Sequence, residues 1–154
     1  MHSVSPISSL REEQRVITAL LAVLQQEQQY LLAADIEALT LLTPQKSALV
    51  NDMAVLASQR HGALGAAGYP AEEAGMEAWI AASGDAEAAP LWQQVLQQTR
   101  NAKELNRLNG MLINKHLSHT QGALQALRPQ AQSNVYGPSG LSTTSKISRG
   151  FLAG

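Results

Sequence analysis

The chain has 154 residues, no cysteine, an aromatic content of 4% and a formal net charge of −1. This length favours one domain. The lack of cysteine excludes disulfides and thiol catalysis. The near-neutral charge argues against a nucleic-acid partner. No apolar run reaches the roughly 18 residues that cross a membrane, and the first residues lack a secretory signal pattern. We therefore expect a cytoplasmic protein without membrane insertion.

The first predicted helix begins near Ser9, because Ser9 and Glu12 fit a capping box. Its seam alternates steps of four and three residues, which is typical of a heptad repeat. The seam residues are Leu10, Gln14, Ile17, Leu21, Leu24, Gln28 and Leu31. The two glutamines weaken the apolar stripe, and we expect them to tolerate or set the register of the helices.

The second predicted helix follows Asp35, a residue type suited to capping a helix. Its stripe is Leu39, Leu42, Lys46, Leu49, Met53, Leu56 and Arg60. Proline inside a helix costs about 3 kcal/mol, yet the stripe keeps its phase through Thr43-Pro44, which favours a kinked continuous helix. We expect Lys46 to extend its amine outward into solvent.

The composition of residues 61–90 predicts the end of the second helix, followed by a short helix. Gly62, Gly65, Gly68 and Tyr69-Pro70 are expected to end the second helix. A short amphipathic helix follows, with Met76, Trp79 and Ile80 on one face and an end at Ser83-Gly84-Asp85. We interpret it as a crossover that folds back onto the other helices.

The third long helix is predicted from about Asp85 or Pro90 to Arg128, before Pro129. Its middle reads Asn106-Arg-Leu-Asn109-Gly110-Met-Leu112-Ile113. Buried amides cost stability unless they form hydrogen bonds, so we expect Asn106 and Asn109 on the buried seam to set the register. Gly110 would allow another helix to approach closely.

These elements predict an all-α fold, an elongated antiparallel bundle or coiled coil of three long helices with a short crossover helix. We expect residues 1–128 to form the bundle domain. Residues 129–154 carry Gly137-Pro138, many Ser and Thr and no acidic residue, and predict a flexible tail. The tail's spaced apolar residues leave open whether it folds on a partner.

No catalytic constellation is evident, so we predict no enzyme and no cofactor. His116 and His119 have a spacing compatible with metal binding, but the nearest acidic residue is Glu104, so no metal site is predicted.

The motif Asn106-x-x-Asn109-Gly110-x-Leu112-Ile113 on the last long helix resembles the signature of the FlgN family of bacterial flagellar export chaperones. Three other features match in order: the Leu- and Gln-rich first helix, the Asp35-to-Arg60 pattern, and Tyr136-Gly137-Pro138-Ser139-Gly140 in the tail. The resemblance covers nearly the whole chain, except the Ala- and Gly-rich residues 62–90.

The resemblance implies a cytoplasmic, non-catalytic chaperone that binds hook-associated proteins 1 and 3, keeps them unassembled and delivers them to the flagellar type III export apparatus. Tyr136 and Gly137 would dock to the export gate, and Asn106, Asn109, Gly110, Leu112 and Ile113 would be structural. The expected substrate-binding residues are His116, Thr120, Ala123, Leu124, Leu127, Leu141, Ile147 and Phe151.

A structural coiled-coil protein that self-assembles through its helical seams is the alternative. It predicts a tight homo-oligomer, and the sequence leaves the oligomeric state open. An enzyme or metal protein that uses His116 and His119 ranks last.

Overall fold

The computed structural model describes residues 5–127, and every regular element in that range is a helix. The elements are α1 (Pro6–Leu32), α2 (Ile36–Ala66), α3 (Ala74–Ser83) and α4 (Ala88–Leu127). This confirms the predicted all-α class with three long helices and a short one. The chain divides into two compact units, residues 1–113 and 114–154. The division into a bundle over 1–128 and a flexible tail over 129–154 stays a prediction, because the tail lies outside the described residues.

The first helix begins earlier than the sequence predicted. Ser5 is the N-cap, its hydroxyl accepts from the Ser8 backbone N–H at 3.3 Å, and Pro6 is the first helical residue. Proline suits this position because its fixed φ matches the helix. It lacks a backbone N–H, but an N–H at this position would have no acceptor within the helix. The predicted capping box at Ser9 is wrong. Ser9 is buried, and its hydroxyl donates to the Leu56 carbonyl at 2.9 Å.

The second helix is capped and continuous as predicted. The Asp35 carboxylate accepts from the Ala38 backbone N–H at 3.1 Å, and the helix runs through Pro44. It passes through Gly62 and Gly65, extends to Ala66 and ends before Gly68, whose φ is 90°, so the predicted end within residues 62–70 is confirmed. A glycine costs a helix only about 1 kcal/mol, which tertiary packing outweighs here.

The short helix α3 packs as the sequence predicted. Met76 is fully buried in a cluster with Leu10, Leu64 and Trp92, and Trp79 and Ile80 pack against this cluster. Gly84 ends the helix with a φ of 66°, a left-handed conformation that glycine adopts without strain.

The helices of the first unit run up, down and up. α1 and α2 are antiparallel and approach each other closely along their length. α4 runs parallel to α1, because the Gln98 amide donates to Thr18 Oγ1 near the start of the pair and the Asn109 amide donates to the Leu24 carbonyl further along. The backbone of α4 stays farther from the other helices than α1 and α2 do from each other.

The buried face of α1 differs from the predicted seam. Seven of its buried residues alternate steps of three and four and are Leu10, Glu13, Ile17, Leu20, Leu24, Glu27 and Leu31, and Pro6, Ser9 and Val16 are buried beside them. The predicted members Gln14, Leu21 and Gln28 are half-buried beside it. The prediction followed apolar and amide residues, so it missed a regular heptad seam that contains two carboxylates.

Candidate functional site

Two buried polar clusters join the three long helices, and each contains a carboxylate of α1. In the first, which we call the Arg60 cluster, Arg60 of α2 forms two hydrogen bonds to Glu13, from Nε at 2.9 Å and from Nη2 at 3.1 Å. The Glu13 and Arg60 side chains are 1% and 3% exposed. Because both charges are removed from water, each depends on the other for compensation.

Two further residues complete the Arg60 cluster. Arg60 Nη2 lies 3.1 Å from Glu73 Oε1, and the guanidinium carbon lies 4.7 Å from the centre of the Trp92 ring on α4. Desolvation lowers the pKa of Arg60, but the hydrogen bonds to Glu13 and Glu73 outweigh it and hold the pKa above its ordinary value. Arg60 is therefore charged, and it links α1, α2, α4 and the residue preceding α3.

The second cluster, which we call the Asn109 cluster, contains Glu27 of α1, Lys46 of α2 and Asn109 of α4. Lys46 Nζ lies 3.1 Å from both oxygens of Glu27. The Asn109 amide donates to Glu27 Oε1 and to the Leu24 carbonyl, each at 2.9 Å. The prediction that the Lys46 amine extends into solvent is wrong, because the buried Glu27 carboxylate attracts it.

The two clusters repeat at a fixed spacing. Glu13 and Glu27 are two heptads apart on α1, and Lys46 and Arg60 are two heptads apart on α2. Lys46 and Arg60 lie on the predicted stripe of α2, whereas Glu13 and Glu27 are not among the predicted seam residues of α1. The signal that could have revealed them was the matched spacing of acids on one helix and bases on the next.

Glu73 provides a pH-dependent contribution to stability. Desolvation raises its pKa, but the hydrogen bond and charge of Arg60, with His61 nearby, outweigh this and hold the pKa below the ordinary 4.5. Its contribution is therefore present above pH 4.5 and is lost as the pH falls through the lower folded-state pKa. Because Glu73 is 57% exposed, the contribution should be about 0.2–1 kcal/mol.

We expect Glu73→Gln to lower the free energy of unfolding at pH 7 by about 0.2–1 kcal/mol. The free energy of unfolding should also fall less steeply as the pH is lowered than it does in the wild-type chain. Urea unfolding at a series of pH values measures both effects. Glu77→Gln is the matched control, since Glu77 has no ion-pair partner within residues 5–127. An identical pH dependence for Glu73→Gln and the wild-type chain would contradict the assignment.

The signature motif on α4 is divided between buried and exposed positions. Asn109 is fully buried, as predicted. Asn106 is exposed, so its predicted place on the buried seam is wrong. A Cβ added at Gly110 would have no neighbour within 4 Å, so the prediction that Gly110 permits a close helix approach is also wrong. Leu112 is half-buried and Ile113 is 40% exposed.

The described residues of the second unit, 114–127, belong to α4 and are exposed. They include five predicted substrate-binding residues, which are His116, Thr120, Ala123, Leu124 and Leu127. Leu117 is exposed as well, although it is not among the predicted binding residues. The other predicted residues lie outside the described residues and are Tyr136, Gly137, Leu141, Ile147 and Phe151.

Neither a membrane-spanning helix nor a cluster of three metal-ligand side chains is found within residues 5–127. None of the helices within residues 5–127 combines the length and hydrophobicity needed to span a membrane. Within the same range no three His, Asp or Glu side chains are grouped so that they could hold a metal ion.

The helices and the two clusters define an all-α bundle protein whose long helices are joined by buried polar clusters. The chain belongs to the FlgN family, because the family model described as FlgN protein matches residues 1–144. This confirms the resemblance drawn from the sequence.

Similar proteins carry the name "Flagella synthesis protein FlgN". The chain is 27% identical to that of Salmonella typhimurium over 132 residues, which cover 84% of each chain. It is 27% identical to that of Yersinia enterocolitica over 135 residues, 86% of each chain. It is 28% identical to that of Escherichia coli over 131 residues, 84% of this chain and 83% of the relative. The family is thus one of flagellar assembly. No solved structure matches the chain with significance.

Proposed function

We propose that this protein is a cytoplasmic, non-catalytic export chaperone for flagellar assembly. It binds hook-associated proteins 1 and 3, keeps them unassembled and delivers them to the flagellar type III export apparatus. Membership of the FlgN family supports the flagellar role. The observation that carries the binding proposal is a row of exposed leucines on α4.

These leucines form an apolar stripe. Leu117, Thr120, Leu124 and Leu127 follow one another in steps of three and four, so they share one helix face. Leu117 and Leu124 are each 55% exposed, and Leu127 is 82% exposed. Exposed apolar residues at this spacing suit the apolar face of another helix.

The stripe suits a partner that must later be released. An unassembled junction protein would present unpaired helical segments with apolar faces, and the stripe would cover one of them. Ordering a partner segment lowers the net affinity, which favours transfer to the export apparatus. We assign His116, Thr120, Ala123, Leu124 and Leu127 to this contact, together with Leu117.

The tail contributes to both proposed steps. Leu141, Ile147 and Phe151 would extend the apolar contact with the junction protein. Tyr136 and Gly137 would dock to the export gate. The matched tail motif supports this assignment.

The test replaces all three leucines, Leu117, Leu124 and Leu127, with glutamine, which preserves helix propensity. We expect the affinity for hook-associated protein 1 to fall at least about tenfold, because interface energy is concentrated in a few apolar anchors. The unfolding midpoint should change little, since all three side chains are exposed. Isothermal titration calorimetry measures the first effect and circular dichroism the second.

Leu41→Gln is the matched control, because Leu41 is 71% exposed on α2 and lies outside the stripe. A second variant lacks residues 129–154, so that the contribution of the tail to binding can be distinguished from that of α4. Wild-type affinity in both altered proteins would refute the proposed binding region. A homo-oligomer that the triple variant dissociates, without any loss of junction-protein binding, would favour the self-assembling coiled coil instead.

A further inference from the structure

The outward side of α2 carries a second regular stripe, which we call the outer stripe. Its members alternate steps of four and three residues, as the inward stripe of the same helix does. All of them are exposed, and they are Glu37, Leu41, Pro44, Ala48, Asn51, Val55, Ser58 and Gly62. A stripe that keeps heptad phase over this length is typical of a helix that packs against another helix.

The composition of this side of α2 differs from that of a solvated helix surface. Between Thr40 and Gln59, Asp52 is the only charged side chain among the exposed residues of the helix. A solvated helix face normally carries charged side chains along its whole length. The outer stripe instead leaves two larger apolar side chains in solvent, since Leu41 is 71% exposed and Val55 is 47% exposed. It therefore has the composition of a contact surface.

The outer stripe is symmetric about Ala48. Leu41 lies seven residues before Ala48, and Val55 lies seven residues after it. In an antiparallel pair of α2 helices centred on Ala48, Leu41 of one copy would therefore lie opposite the partner's Val55. The small Ala48 side chain at the centre would let the two backbones approach closely. The apolar part of the stripe thus fits a second copy of itself.

The polar residues of this side are complementary in the same antiparallel arrangement. Gln45 would lie opposite the partner's Asn51, and an amide can both donate to and accept from another amide. Glu37 would lie opposite the partner's Gln59, whose amide can donate to the carboxylate. A parallel pair would instead place Glu37 against the partner's Glu37, and like charges repel. Electrostatic complementarity therefore favours the antiparallel pair.

We propose that two copies of this chain form a reversible antiparallel dimer through the outer stripes of α2, centred on Ala48. Such a twofold contact uses the same surface on both copies, so each favourable pair occurs twice. The single central charge, Asp52, would lie opposite the partner's Pro44, so no like charges meet there. The inference is independent of the proposed function, because α2 lies in the first unit and the leucine stripe of α4 in the second.

Sedimentation equilibrium of the full-length chain tests the dimer and should show a reversible equilibrium between monomer and dimer. Ala48→Glu places two carboxylates against each other at the twofold axis and should weaken dimerisation at least about tenfold. Ala22→Glu, the same substitution at an exposed position of α1, is the matched control and should leave the equilibrium unchanged. Both variants should keep the helix content of the wild-type chain in circular dichroism, since both positions are exposed.

Single cysteines test the orientation of the two copies, because the chain has no cysteine of its own. Leu41→Cys and Val55→Cys chains, mixed in a glutathione redox buffer, should form mainly the mixed disulfide, identified by mass spectrometry. A disulfide joins Cα atoms about 4.4–6.8 Å apart, whereas the two copies of position 41 would lie about 21 Å apart along the helix axes. Leu41→Cys alone should therefore cross-link at least about tenfold more slowly than the mixture.

Three results would overturn the proposal. One is a wild-type chain that stays monomeric at concentrations up to about 1 mM, which corresponds to the Kd of a very weak complex. Another is a dimer that Ala48→Glu leaves as stable as that of the wild-type chain, since the contact would then lie elsewhere. The third is cross-linking of Leu41→Cys chains with one another as fast as with Val55→Cys chains.

Discussion

Replacement of Arg60 by alanine is expected to lower the free energy of unfolding by about 3–5 kcal/mol, because it leaves the Glu13 carboxylate buried without a counter-charge. Glu13 is 1% exposed in the intact chain, and Arg60 is its only cationic partner within residues 5–127. The variant also loses the contact between the guanidinium and Trp92. Urea unfolding followed by circular dichroism measures the change.

The double variant Glu13→Leu with Arg60→Met is the control for this prediction. It removes both charges and fills the space with apolar side chains, a change that is often neutral or stabilising for buried pairs. We expect it to recover most of the stability that Arg60→Ala loses. If Arg60→Ala and the double variant are equally unstable, the loss comes from packing and the ion pair is not its cause.

The two buried ion pairs explain why α1 and α2 adopt one register. A slip of one heptad would keep the seams facing each other but would place Glu13 opposite Met53 or Ala67. Either arrangement buries a carboxylate without a partner and costs several kcal/mol. A slip of two heptads would preserve only one of the two pairs. We infer that the clusters set the alignment of the helices, while the leucines supply the apolar contact.

The sequence predicted the helices well because their signals are local. Asp35 caps α2 through its own side chain, and Gly84 ends α3 through its own backbone conformation. The amphipathic face of α3 also follows from spacing alone, since Met76, Trp79 and Ile80 fall on one side of any helix. These features depend on neighbours within one or two turns.

The two buried clusters could not be predicted from the residue types alone. A glutamate in a helix is usually solvated, and only a base from another helix makes burial of Glu13 or Glu27 tolerable. The exposure of Asn106 has a similar cause, since the position of α4 relative to α1 decides which asparagine faces inward. A three-residue step turns about 60° around a helix, enough to separate a buried position from an exposed one.

Replacement of Asn109 by aspartate should lower the free energy of unfolding at pH 7 by about 3–5 kcal/mol, although the two side chains have nearly the same shape. Asn109 is fully buried, and its amide donates to Glu27 Oε1 at 2.9 Å. An aspartate would lose this donor and bring a second negative charge against Glu27. Lys46 provides only one positive charge for the two carboxylates.

Burial and the nearby Glu27 would raise the pKa of the introduced carboxyl above its ordinary value. The loss of stability should therefore be present above that raised pKa and should diminish as the pH falls through it, because a protonated carboxyl can again donate to Glu27. Asn106→Asp is the matched control, an exposed site three residues earlier on α4, where a change within about 0.5 kcal/mol is expected. Equal effects of the two substitutions in urea unfolding would show that Asn109 does not have the structural role assigned to it.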